Sequence, residues 1–588
     1  MFAKEFLLIF SLLCLFAMIG GFLLFSFRKN LPYIAFASPQ IGVLFSVGGA
    51  AVLYSFLGFS IFTSFILMSI TGSIVTLLAI IYYKISFNKK LVSLFVFALI
   101  VIFFSFYITN YTTLHFSSPG FIYMDGTDHL GYAQLADWLA SHGRSGLPQL
   151  SSALPYQSWP AYSYAGDPRF GSFIFLAIIS KSLGLSGMFA YYPAVAILLM
   201  VASLGIAALF SSSRTTFIII VIGCVTNIWY ASVMRGLLGN VFAYPSFILL
   251  IGLLFSIKEC RLIYVLFLCA LAFIIAGIYP ANAALAFLIP IGAIYLLSVR
   301  VYNKQLTFSE WKNHLCFWSL IALALVFSAG VVARPVPFGL ASQVPAPWYK
   351  VIATYLSFGR DADGLPFVHW HFTLFVIAFV LTFLVSIVGL VIAHRRKNAV
   401  ALSLLLTPLV LLVALLILNK KWILYQLSGI YYPLQIIGLS LLWDKKYDNK
   451  QLKVKASKWW LLLPVIMLVI HLPATFGAIK HYTKAHGYSQ NRFSHQQMQH
   501  LTKLLNHHAV TVDLKNVVFA LPLLVELGNN PNIHLHWTKD SWKAIVGYRS
   551  WPAPKAVHTP FVITLKKQKS LQGCHLVYQT QQYHLFKC

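Results

Sequence analysis

Acid is what this sequence has least of. Asp and Glu number 14 among 588 residues, against 43 Lys and Arg, and charged residues of both signs make up 10%. A soluble domain carries about a quarter charged residues. With 59% of the residues hydrophobic, the surplus apolar surface belongs in lipid rather than in one large core. Cysteine is scarce too, at seven residues, and no metal-binding spacing appears among them. Cys14, Cys224, Cys269 and Cys316 fall in apolar runs and Cys260 at a helix end. Cys574 and Cys588 lie in a polar C-terminal segment, where they could pair in an oxidising compartment. A net charge of +29 would suit nucleic acid, but most of these cations sit in short loops between apolar runs. There they set topology and meet lipid headgroups. No basic face is interleaved with a readable motif, so no nucleic-acid partner is expected.

About 20 apolar residues are needed to cross a bilayer as a helix. Such stretches run at 5–27, 40–58, 60–83, 91–109, 187–210, 216–233, 240–257, 261–279, 281–299, 315–334, 371–393, 399–418, 422–442 and 458–476. They predict an all-α polytopic membrane domain of about 14 transmembrane helices. The first stretch lacks a small-x-small cleavage site and is followed by Arg28-Lys29, so it is expected to be retained. Arg28-Lys29, Lys84 to Lys90, Arg214, Lys258 with Arg261, Arg300 to Lys312, His394 to Lys397 and Lys445 to Lys458 all fall on one side of this alternation. By the positive-inside rule that side is cytoplasmic. Lys420-Lys421 breaks the pattern.

This organisation divides the chain into N-terminal membrane helices (1–110), a first outward loop with amphipathic helices (111–186), a membrane core (187–476) containing a second outward loop at 335–370, and a soluble outward domain (477–588). In the last, a helical stretch (Phe493 to His507) precedes strand-like runs at Asn516 to Leu521 and Pro560 to Leu565 and a closing hairpin from His575 to Phe586. A small extracytoplasmic α/β domain is expected. It carries thirteen Lys and Arg against Asp513, Glu526 and Asp540, a net +10, which suits anionic headgroups or an anionic glycolipid as well as it suits a solvated cap.

So few acids can all be placed. Glu5, Glu259, Glu310, Asp444 and Asp448 are cytoplasmic or terminal, and three more are in the tail. Asp125, Asp128, Asp137, Asp167, Asp361 and Asp363 all lie in the two outward loops. None sits mid-span, where ion-coupled transporters carry ionisable groups. Carboxylate chemistry is therefore expected at the outer membrane face.

The first loop reads Phe121-Ile-Tyr-Met-Asp125-Gly-Thr-Asp128-His129-Leu-Gly-Tyr132 and continues to Gly143. Gly126 allows a turn, Thr127 or Asp128 can cap a helix running to His142, and Gly143 suits its C-terminal end. Leu130, Ala133, Ala136 and Ala140 form a stripe that predicts a helix lying flat on the membrane. Asp137 reads as part of its solvated face, and His129 and His142 as interfacial polar groups or ligands. In the second loop Gly359-Arg360-Asp361-Ala-Asp363-Gly364 reads as a turn or, with His369 and His371, as a site that could hold a divalent ion such as Mg or Mn. No other cofactor is expected. Arg169, Arg235, Arg334, Lys350, Arg360, Lys420 and Lys421 are the cations near the outer face, each a headgroup anchor or a phosphate ligand.

From residue 91 to 214 the chain resembles the GT-C superfamily of polytopic glycosyltransferases, in particular the protein O-mannosyltransferases and the lipid A aminoarabinose transferase. The resemblance rests on a span, an outward loop opening with the Asp125/Asp128 pair, a Tyr-x-x-x-Ala helix, then Gly166-Asp167-Pro168-Arg169-Phe170-Gly171, the stretch Ser172 to Gly184, the span 187–210 and Arg214. Two residues separate the acidic pair where the family has none or one, and Tyr191-Tyr192-Pro193 stands where the family has Arg. What the resemblance implies is a GT-C-like fold and transfer of a sugar from polyprenyl phosphate to a lipid, glycan or protein acceptor at the outer face of a bacterial inner membrane. It implies catalytic roles for Asp125 and Asp128, and substrate contacts from His129, Tyr132, Asp167, Arg169, Arg235, Arg360, Lys420 and Lys421. The competing readings are a polysaccharide polymerase or ligase, a transporter or flippase of glycolipids, and a non-catalytic assembly or lipid-binding protein.

The charge alternation makes a direct prediction. Reporter fusions at Lys397 and Asn449 should report the cytoplasm, and fusions at Gly146 and Gly573 the outside. A cytoplasmic signal at Gly573 would invert the parity and move the acidic loops to the wrong face.

Overall fold

The computed structural model describes residues 2–21, 33–83, 89–110, 128–142, 170–235, 238–257, 261–278, 296–302, 307–332, 372–419, 430–444, 458–472, 495–515, 532–541, 557–568, 570–580 and 582–588, with isolated positions 348, 352, 424, 523, 527 and 530. The helices are α1 (Phe2–Gly20), α2 (Ser38–Leu57), α3 (Ile61–Tyr83), α4 (Lys89–Thr109), α5 (Asp128–Ser141), α6 (Phe170–Leu183), α7 (Gly187–Phe210), α8 (Arg214–Arg235), α9 (Leu238–Ser256), α10 (Leu262–Ile278), α11 (Phe308–Val332), α12 (Phe372–Arg395), α13 (Ala399–Ile417), α14 (Tyr431–Leu441), α15 (Trp459–Leu472) and α16 (His495–Leu504). Among the described residues six helices are long and apolar enough to cross a membrane, and six shorter apolar helices accompany them. Parts of the expected spans 281–299 and 422–442 lie outside the described residues.

Lipid offers no hydrogen bonds, so each helix must satisfy its own backbone and pack through shape. In α1–α3 small residues do this. A Cβ on Gly20 would collide with the Ser38 carbonyl, and one on Gly42 with the Phe16 carbonyl. The Thr76 hydroxyl of α3 donates to the Met18 carbonyl at 2.5 Å. Helix α7 sits deepest, with the whole of Phe189–Phe210 buried inside protein, and α4, α5, α6, α8 and α9 pack around it. In α12–α14 the buried amide of Gln435 accepts from Ser386 at 3.0 Å and donates to the Leu405 carbonyl at 3.2 Å.

Helix ends assigned to one side by their charges meet in space. The Tyr33 hydroxyl donates to the Ser212 carbonyl at 3.5 Å. Ser212 donates its N–H (2.7 Å) and its hydroxyl to the buried Asp444 carboxylate. The Asn398 amide donates to the Leu441 carbonyl at 3.1 Å, which also accepts the Asp444 N–H at 3.0 Å. Buried Arg396 stacks over Trp460 at 4.7 Å, Arg300 donates to the Phe255 carbonyl at 3.3 Å, and Lys397 lies over Tyr302 at 5.1 Å.

Beyond the membrane helices, β1 (Ala509–Asp513), β2 (His534–Trp537), β3 (Phe561–Leu565), β4 (His575–Gln579) and β5 (Tyr583–Lys587) form one sheet in the order β2-β1-β3-β5-β4. The first three strands are parallel and the closing hairpin antiparallel. Helix α16 buries Met498 and Leu501. The small C-terminal α/β unit is thus present, with a helix and hairpin close to the expected ones. Strands β1 and β2 were not expected, because four- and five-residue runs carrying His, Thr and Asp give little alternation. The run 516–521 lies outside the described residues. Cys574 and Cys588 form a disulfide.

Close packing at Gly42 can be tested. Gly42→Val places a branched side chain against the backbone of α1 and should destabilise the protein by about 2 kcal/mol or more, read as a lower midpoint of thermal unfolding in detergent. An unchanged midpoint would show that α1 and α2 do not cross at this point.

Candidate functional site

Helices α5 and α6 close the end of the bundle where α7 begins. Residues 170–183 are apolar almost throughout, so no face is suited to water, and Gly171 to Ser180 are all buried. Phe170 lies 6.2 Å from Tyr54 of α2, Phe175 lies 5.2 Å from Phe242 of α9, and the Ser172 hydroxyl donates to the Ile278 carbonyl of α10 at 3.2 Å. This corrects the expectation of amphipathic helices in a loop: α6 is a packed element. Helix α5 is likewise not laid flat on lipid. Its Tyr132, Ala133, Leu135, Ala136 and Leu139 are buried, facing α6 and α7. The expected stripe was correct at Ala133 and Ala136, but protein covers it; the side chain of Leu130 lies outside the described residues.

Asp137 is a second correction. It is not a solvated residue. Its carboxylate accepts the Gly187 N–H at 2.6 Å and the Ser180 hydroxyl at 3.3 Å. Gly187 opens α7, where unpaired N–H groups and the helix dipole both favour an anion. The residue must be glycine, because a Cβ there would strike the Ala133 carbonyl of α5. The Ser180 hydroxyl also donates to the Leu185 carbonyl at 2.6 Å, tying the α6–α7 turn to the same point. Sequence alone could not find this cap, because Asp137 and Gly187 are 50 residues apart.

Tyr132 packs its ring 4.9 Å from Phe173 and 6.5 Å from Tyr191. The Tyr191 hydroxyl accepts the Leu238 N–H at 3.2 Å, at the first residue of α9. The Tyr191-Tyr192-Pro193 segment thus holds the start of a neighbouring helix. His142, weighed as an interfacial group or ligand, stacks on Trp138 at 3.7 Å, with Nδ1 3.2 Å from the Trp138 carbonyl.

Helix α5 begins at Asp128, and His129 follows in its first turn; the side chains of both lie outside the described residues. So do Asp125, Asp167, Arg169, Arg360, Asp361, Asp363, His369, His371, Lys420 and Lys421. Arg235 ends α8, and its side chain is also not described. Among the described residues no group of three or more His, Cys, Asp or Glu gathers as a metal site would. The flanks of the Asp125 loop are nonetheless anchored. Asn110, just past the end of α4, is buried, and its amide donates to the Phe106 carbonyl and the Thr109 hydroxyl, both at 3.1 Å. Helices α4 and α5, on either side of that loop, both pack on α7.

The Asp137 cap makes a stability prediction. Asp137→Ala removes the acceptor from a buried helix start and should cost about 1–3 kcal/mol. Asp137→Asn keeps one carbonyl oxygen and should cost less. The measurement is the thermal unfolding midpoint of each variant, and equal midpoints for wild type and Asp137→Ala would remove the cap from the account.

No protein-family model matches the chain, and no curated protein matches its sequence.

Proposed function

We propose that the protein is an integral membrane glycosyltransferase of GT-C type. It moves a sugar from a polyprenyl-phosphate donor to a lipid, glycan or protein acceptor at the outer face of a bacterial inner membrane, with about fourteen spans carrying the site. One observation carries the proposal: the acids that are neither cytoplasmic, terminal nor in the tail fall in two outward loops, and the first of these springs from helices packed on the buried helix α7. The disulfide in the C-terminal domain supports an oxidising, extracytoplasmic setting for that domain. The hydrogen-bonded and stacked closure around Asp444, Arg396 and Trp460 at the opposite end supports an enzyme acting from one face over a flippase, which must open both.

Transfer requires a base for the acceptor hydroxyl and positive charge for the departing lipid phosphate. Asp125 takes the first role in this proposal. It directly follows an apolar run, and only Gly126 and Thr127 separate it from Asp128 in the sequence. Asp128, at the start of α5, orients the acceptor. Tyr132, on the same helix, packs on Phe173 and Tyr191, and His129 is a further substrate contact in this proposal. Arg169, Arg235, Arg360 and the Lys420-Lys421 pair supply the cations, with Asp167 as a polar contact. Asp361, Asp363, His369 and His371 are the residues that would hold a divalent ion. The attacking oxygen forms the new glycosidic bond, its proton passes to Asp125, and the sugar–phosphate bond breaks with inversion.

Asp125→Asn keeps the size of the side chain and removes its basicity, so transfer should fall by about 10² or more. Asp128→Asn should have a smaller effect, since Asn also serves well at a helix start. The assay is transfer of labelled sugar from polyprenyl phosphate by purified, folded protein. Full activity in Asp125→Asn would remove that residue from the mechanism, and full activity in both variants would sink the enzyme reading.

A further inference from the structure

The edge of the C-terminal sheet carries a surface that the transfer reaction does not use. Strand β4 ends the sheet order, and His575, Leu576, Val577 and Gln579 are all exposed along it. In a regular edge strand, neighbours alternate between the two faces and one of each pair is commonly covered. Here the pairing with β5 slips between Leu576 and Tyr578. Both aliphatic neighbours stay open, Leu576 at 46% and Val577 at 42% exposure. A bulge of this kind re-aims side chains at a sheet edge. Cations lie at both ends of this part of the sheet. Lys587 stands opposite His575 in the ladder, and Lys566 and Lys567 follow β3 directly; all three lysines are exposed. The disulfide between Cys574 and Cys588 fastens the end of the hairpin beside Leu576.

We infer that this edge is a membrane-docking surface that meets the anionic lipid headgroups of the outer leaflet. Charge complementarity selects the partner. The segment 477–588 holds thirteen Lys and Arg against three acids, and among the described residues one ion pair is formed, Lys515 with Asp540 at 3.8 Å, both well exposed. The other described lysines of the domain are left to meet an anionic partner. Two adjacent exposed aliphatic side chains on a basic domain match a headgroup layer, which takes apolar tips below the phosphates and amines among them. The tether makes weak contacts sufficient. Residues 473–494 separate the end of α15 from α16, so the domain is held close to the bilayer and docks as an intramolecular event. Each lysine near an anionic surface contributes about a fivefold gain in docking. The inference shares the outward placement of this domain with the proposed function but does not depend on the transfer chemistry.

The experiment is hydrogen–deuterium exchange of the full-length protein in nanodiscs of phosphatidylcholine alone and of phosphatidylcholine with phosphatidylglycerol. The outward amides of β4 have no strand partner among the described residues, so they report what covers them. Exchange across 575–579 should slow by about tenfold or more in the anionic discs, and 1 M salt, with a screening length of about 3 Å, should abolish the difference. Lys566→Gln with Lys567→Gln and Lys587→Gln should remove the protection, as should Leu576→Asp with Val577→Asp. Unchanged protection of Phe561–Leu565 in the same samples would show that these variants remain folded. Equal exchange in the two lipids would overturn the inference. So would protection that persists in neutral discs at 1 M salt, because another protein surface would then be covering the edge. Loss of sugar transfer in Asp125→Asn with docking intact would separate this surface from the reaction site.

Discussion

Helix α7 has no face toward lipid, so both of its ends must be closed from within the protein. At one end the Asp137 carboxylate takes the first N–H of the helix. Past the other end, Ser212 donates to Asp444. Each carboxylate is stabilised by donors that lipid could not replace, and each fastens a distant part of the chain, 50 residues away in the first case and 232 in the second. The helices around α7 are arranged by these two closures. Helices α5 and α6 are held over its start, and the turn before α8 is joined to the end of α14.

The two ends differ in chemistry. Around Ser212 the chain has spent its polar groups on itself: Tyr33, Asn398 and Asp444 bond across helices, and Arg396 lies against Trp460. Around Gly187 the closure is largely apolar, built by Phe173, Tyr132 and Tyr191.

Intrinsic geometry explains why some glycines and tyrosines matter more than composition suggests. Gly187, Gly20 and Gly42 occupy places where a Cβ would meet a carbonyl of another helix. Tyr191 caps α9 through its hydroxyl.

Hydrophobic runs and the placement of Lys and Arg determined much by themselves. They set the helical membrane class, the bounds of most helices to within a few residues, the grouping of helix ends by side and a polar α/β tail with a pairable Cys574 and Cys588. These features follow from local length, polarity and charge, which any segment carries without reference to its neighbours. Tertiary structure alone decided that α6 is buried, that α5 faces protein rather than lipid, that Asp137 caps α7, and that β1 and β2 join the tail sheet. An apolar helix reads the same whether lipid or protein covers it, and a carboxylate reads the same whether water or a helix start 50 residues away satisfies it. Those choices belong to the partners, which only folding brings within reach.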